Sequence, residues 1–134
     1  MKALTILILM FSFQLASAQT PQLKDVMKEI GEQFKTIAIA IQSGEIKATD
    51  LDAVETLQTL VSQASMIYPA TAETMELKLK YSELMNELMD QSLVLEDEAE
   101  LAMAGSPQNL SNVKKIFGAI NQTRQKGHEE FKIE

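Results

Sequence analysis

The chain has 134 residues, no cysteine and a formal net charge of −7. Without cysteine it has no disulfide bridge, thiolate nucleophile or zinc–thiolate site. The negative charge argues against binding to nucleic acid or anionic lipid, and it favours a partner with a basic surface.

The first residues are typical of a secretory signal peptide. Lys2 is followed by an apolar run at positions 3–13 and by the small residues Ala16, Ser17 and Ala18. We therefore predict cleavage after Ala18, export to the periplasm and a single domain over residues 19–134. The later sequence has no stretch of the roughly 18 apolar residues that a membrane helix needs, so we expect no membrane insertion.

From there on, apolar residues recur at three- and four-residue spacing, which predicts amphipathic helices. Thr20 and Pro21 provide an N-cap and a first helical position, and Gly44 ends this first helix. Either Thr49 or Asp50 is expected to cap the second helix.

Two further helices complete the chain. Tyr68-Pro69 stops the second helix, and Thr71 is expected to cap the third, which ends at Gly105. The third helix is longer than the others, so a break near positions 90–92 is compatible with the pattern. Ser106-Pro107 then opens the fourth helix.

Four amphipathic helices joined by short loops predict an all-α fold, an antiparallel up-and-down four-helix bundle. In this topology the start of the first helix and the end of the fourth lie at the same end of the molecule. Met27 and His128 each lie roughly 10 Å from that end, on apolar stripes. A buried imidazole and a buried thioether at one level suit the axial coordination of haem iron.

Each residue also has an ordinary structural interpretation. A histidine in the last turn complements the helix dipole, and a methionine at helical spacing fills the core. Met66 and Met75 are expected near the same end, so geometry alone does not select Met27. A di-iron carboxylate centre is excluded, because it needs Glu-x-x-His motifs on two helices and His128 is the single histidine.

Residues 23–30 and 123–131 together resemble the two ends of cytochrome b562, a family of periplasmic four-helix haem proteins. In that family a methionine early in the first helix and a histidine late in the fourth are the axial ligands, with an arginine four residues before the histidine. The resemblance assigns these roles to Met27, His128 and Arg124. It implies single-electron transfer rather than enzymatic catalysis, since both axial positions are taken, and it implies a redox protein as partner.

The related cytochromes c prime are similar at the same two ends, but they attach haem through a Cys-x-x-Cys-His motif. Arg124 and Gly127 stand at the two cysteine positions here. The resemblance therefore implies haem b, held non-covalently. It further implies that the porphyrin packs against Ile30, Phe34 and Phe131, with its propionates near Arg124 and its edge beside Gly127.

Two alternatives from other classes remain. The same bundle without haem is suited to a periplasmic interaction or stress protein. Methionine thioethers and one histidine also suit Cu(I), which makes a copper-binding bundle the other alternative.

Overall fold

A computed structural model of the chain describes residues 22–132. The predicted leader at positions 1–18, and the predicted cap formed by Thr20 and Pro21, lie outside these residues. The described part forms four helices, here α1 (Leu23–Ser43), α2 (Ala48–Ser65), α3 (Met75–Met103) and α4 (Pro107–Phe131). Residues 22–132 contain no strand. The predicted all-α four-helix architecture is confirmed.

Glycine ends helices where the sequence predicts it. Gly44 adopts a left-handed conformation with φ of 79°, and its N–H donates to the carbonyl of Ile41. Gly105, just after α3, has φ of 102°. Residues with a β-carbon rarely adopt this region, so both positions stop a helix for a local steric reason.

The starts of α2 and α3 were predicted wrongly by a few residues. Lys47 is the N-cap of α2. The backbone N–H of Lys47 donates to the carboxylate of Asp50 at 2.8 Å, so Asp50 stabilises the start of α2 from a position within the helix. Thr74 caps α3 and accepts from the N–H of Leu77 at 3.2 Å. Thr71 instead bonds to the far end of α4, a pairing that no local sequence pattern reports.

The break allowed near positions 90–92 does not occur, and α3 is continuous over 29 residues. Ser92, which is fully buried, donates its hydroxyl to the carbonyl of Met89 at 2.7 Å. This bond to the preceding turn satisfies the hydroxyl within the helix and leaves the helical backbone intact.

All four helices contribute buried apolar side chains to the core, and the largest fully buried ones come from α2, α3 and α4. Consecutive helices pack closely against one another, whereas α1 and α4 touch only slightly. The bundle is therefore loosest along the seam between α1 and α4. Within residues 22–132 no helix combines the length and apolar character needed to span a bilayer.

Candidate functional site

A small cavity lies where α1, α3 and α4 meet. Its volume is about 20 Å³. The lining side chains come from these three helices: Met27 and Ile30 from α1, Leu84, Met85 and Leu88 from α3, and Arg124, Gly127 and His128 from α4. The walls are apolar, and the polar atoms of the site are confined to the arginine and the histidine.

All three residues predicted from the sequence to form a site line this cavity. Met27 and His128 are half-buried, as is Arg124. The competing methionines are elsewhere, because Met66 and Met75 are 80 % and 71 % exposed. The structure thus brings one imidazole, one thioether and one guanidinium together from opposite ends of the chain.

Arg124 crosses the seam between α4 and α1. Its guanidinium carbon lies 4.7 Å from the centre of the Phe34 ring, and that ring packs on Phe117 with centroids 4.9 Å apart. A β-carbon on Gly31 would lie 3.3 Å from Nη2 of Arg124, so the absence of a side chain at Gly31 lets the guanidinium approach α1. Burial lowers the pKa of Arg124. Its charge is therefore partly desolvated against an aromatic face.

Gly127 has a role that the sequence did not indicate. It is buried inside α4, and a β-carbon built on it would lie 2.6 Å from Cδ2 of Leu84. The Leu84 side chain therefore rests on the backbone of α4 at Gly127. The glycine here makes room for a side chain of α3, next to His128.

The end of α4 beyond the site is fixed by contacts to the loop between α2 and α3 and to α3 itself. Thr71 donates its hydroxyl to the carbonyl of Phe131 at 2.6 Å. The Phe131 ring packs edge-on against Tyr81 with centroids 5.4 Å apart. Tyr81 is fully buried and donates its hydroxyl to the carbonyl of Ala64 at 2.6 Å. Phe131 thus serves the end of the bundle and does not line the cavity.

Sequence reasoning missed three residues of the site, Leu84, Met85 and Leu88. All three are buried residues of α3. The apolar periodicity of α3 does not indicate which turn of this 29-residue helix lies level with Met27 and His128, because that depends on the axial position of α3 relative to α1 and α4. The thioether of Met85 at the cavity therefore could not be predicted from the sequence pattern.

Other cavities of the described structure lie away from these residues. Two larger hollows, of about 310 and 450 Å³, lie at the two ends of the bundle, and neither is lined by Met27 or His128. Across residues 22–132 no group of three histidine, aspartate or glutamate side chains is placed to hold a metal ion.

Fold and cavity together define a four-helix bundle with a histidine, two methionines and an arginine around one apolar pocket. Comparison with known proteins adds no family to this description, since no family model, curated protein or solved structure matches the chain.

Proposed function

We propose that the chain binds haem b non-covalently between α1 and α4, with His128 and Met27 as axial ligands, and serves as a single-electron carrier. One observation supports this above all. Met27 and His128, about a hundred residues apart in sequence, share one apolar cavity with Arg124. The resemblance to cytochrome b562 named the same three residues.

The chemistry of the donor set suits haem. A neutral imidazole and a soft thioether form a known axial pair, and the thioether raises the reduction potential. Arg124 has a partly desolvated charge over an aromatic ring. A propionate carboxylate would give this guanidinium a charge-assisted partner.

The volume of the site sets a condition on binding. About 20 Å³ holds roughly one water molecule, whereas pockets for drug-sized ligands and cofactors measure about 300–1,000 Å³. Haem binding therefore requires the Leu84 side chain to leave the cavity and the α1–α4 seam to widen. This seam has the fewest contacts to lose, since α1 and α4 touch only slightly.

Bound haem would supply a one-electron iron couple, and the protein would hold both axial positions against exogenous ligands. We therefore propose no enzymatic activity. The net charge of −7 favours a redox partner with a basic surface, because opposite charge accelerates encounter. Export to the periplasm remains part of the proposal.

The test is a titration of the purified chain with haemin, followed by visible absorption in the oxidised and reduced forms. We expect one equivalent to bind with a low-spin six-coordinate spectrum. Met27→Leu, which conserves volume, is expected to convert that spectrum to five-coordinate high spin, and His128→Ala to abolish ordered binding. Met75→Leu is the matched control, because Met75 is exposed and does not line the cavity, and it is expected to change nothing.

Arg124→Gln tests the propionate contact separately. We expect haem affinity to fall roughly 10-fold, equivalent to about 1.4 kcal/mol, with a weaker dependence on salt. Failure of the wild-type chain to bind haemin at one equivalent, while circular dichroism shows it helical and cooperatively folded, would overturn the proposal. The interaction-protein alternative would then stand in its place.

A further inference from the structure

The cavity has features that haem ligation does not use. Haem would take one thioether, yet Met85 lines the same cavity as Met27 and His128. Met85 is almost fully buried, so its sulfur is withdrawn from solvent. The three donors come from α3, α1 and α4 respectively, and they surround a space the size of one small ion or water.

We propose that the haem-free chain binds one Cu(I) ion in this cavity, coordinated by the thioethers of Met27 and Met85 and by the imidazole of His128. Thioether and imidazole ligands together are the set that soft Cu(I) prefers, whereas hard divalent ions prefer oxygen ligands. No carboxylate side chain lines the cavity. The donor set therefore contains no carboxylate oxygen and selects against Mg²⁺ and Ca²⁺.

The charge around the cavity and its size also favour Cu(I) over other metal ions. Arg124 also lines the cavity, and its positive charge opposes any cation. Coulomb repulsion doubles from a monovalent to a divalent ion, so the site disfavours Zn²⁺ and Cu²⁺ more than Cu(I). A volume of about 20 Å³ admits one ion while Leu84 stays in place, whereas haem would have to displace Leu84.

Binding of Cu(I) would join α1, α3 and α4 across the loose seam. It would therefore stabilise the fold and keep the seam closed. Because Cu(I) and haem would both use Met27 and His128, the two would exclude each other. The copper proposal does not depend on haem binding, since it uses the cavity at its present size.

The experiment is an anaerobic titration of the full chain with ascorbate-reduced copper in competition with a chromogenic Cu(I) chelator. We expect one equivalent to bind and the melting temperature to rise. Met85→Leu is expected to weaken binding roughly 10-fold or more, as is Met27→Leu. Met89→Leu is the matched control, because Met89 is half-buried on the same helix but outside the cavity, and it is expected to leave affinity unchanged.

Met85 also separates this proposal from the haem proposal. Met85→Leu is expected to lose Cu(I) and to keep the low-spin haem spectrum, whereas Met27→Leu is expected to lose both. Absence of stoichiometric Cu(I) binding by the folded wild-type chain would overturn the copper proposal. So would binding that Met85→Leu leaves unchanged, since that outcome would assign the copper to exposed methionines such as Met66.

Discussion

The packing of Leu84 onto Gly127 gives the sharpest test of the closed cavity. We consider Gly127→Ala, which adds a single β-carbon 2.6 Å from Cδ2 of Leu84. Gly118 offers a matched control in the same helix, because a β-carbon there would meet nothing within 4 Å. Both substitutions replace glycine by alanine inside α4, so they share the change in helix propensity and differ in the contact with Leu84.

The expected magnitudes follow from these two contributions. Gly118→Ala is expected to raise the free energy of unfolding by about 1 kcal/mol, the usual advantage of alanine over glycine in a helix. Gly127→Ala has the same advantage but overpacks a core residue that is 5 % exposed, at a cost of about 1–3 kcal/mol. The two variants are therefore expected to differ by about 1–3 kcal/mol, with Gly118→Ala the more stable.

Urea unfolding followed by far-ultraviolet circular dichroism measures this difference. Repeating both substitutions in a Leu84→Ala background completes the cycle, and there we expect Gly127→Ala to become as favourable as Gly118→Ala. Leu84→Ala alone is expected to cost about 2–5 kcal/mol through the cavity it leaves. Equal stabilisation by the two glycine substitutions in the wild-type background would refute the contact between Leu84 and Gly127.

Three further predictions concern the frame around the site. Burial raises the pKa of Tyr81, so the free energy of unfolding is expected to fall as pH rises past ~10, where the tyrosine ionises first in the unfolded chain. Tyr81→Phe is expected to remove this fall and to cost about 1 kcal/mol at neutral pH, because it loses the hydrogen bond to the carbonyl of Ala64. Urea unfolding measured across pH checks both effects. Thr71→Val is expected to cost about 1 kcal/mol and to speed amide exchange in the last turn of α4, since the carbonyl of Phe131 loses its donor. Gly44→Ala is expected to cost about 1–2 kcal/mol in thermal unfolding, because alanine is strained at φ of 79°.

The fold was predictable because the information for it is local. The apolar stripes of all four helices and the glycines at positions 44 and 105 were read directly, and the structure confirms them. The error at the start of α3 lies where two residues compete for one role. Thr71 and Thr74 are equally good caps in sequence, and the choice between them is made by Phe131, which lies 60 residues away and accepts the hydroxyl of Thr71. A contact at that separation leaves no periodic signal.

The site was predictable in part for the same reason. Topology alone brings Met27 and His128 to one end of the bundle, and Arg124 lies one helical turn before the histidine. The contribution of α3 was not predictable, since Met85 looks like any other buried position of a long amphipathic helix. Yet Met85 is the residue that the copper proposal requires and the haem proposal does not.

The contact between Leu84 and Gly127 therefore bears on both the haem and the copper proposal. While Leu84 rests on Gly127, the space among Met27, Met85 and His128 suits an ion; when Leu84 leaves, the loose contact between α1 and α4 permits a larger occupant. A substitution that stabilises the closed cavity is thus expected to weaken haem binding by the same free energy, because haem binding must first open the cavity. A Leu84→Ala chain that binds haemin no more tightly than the wild type would show that Leu84 does not control entry to the site.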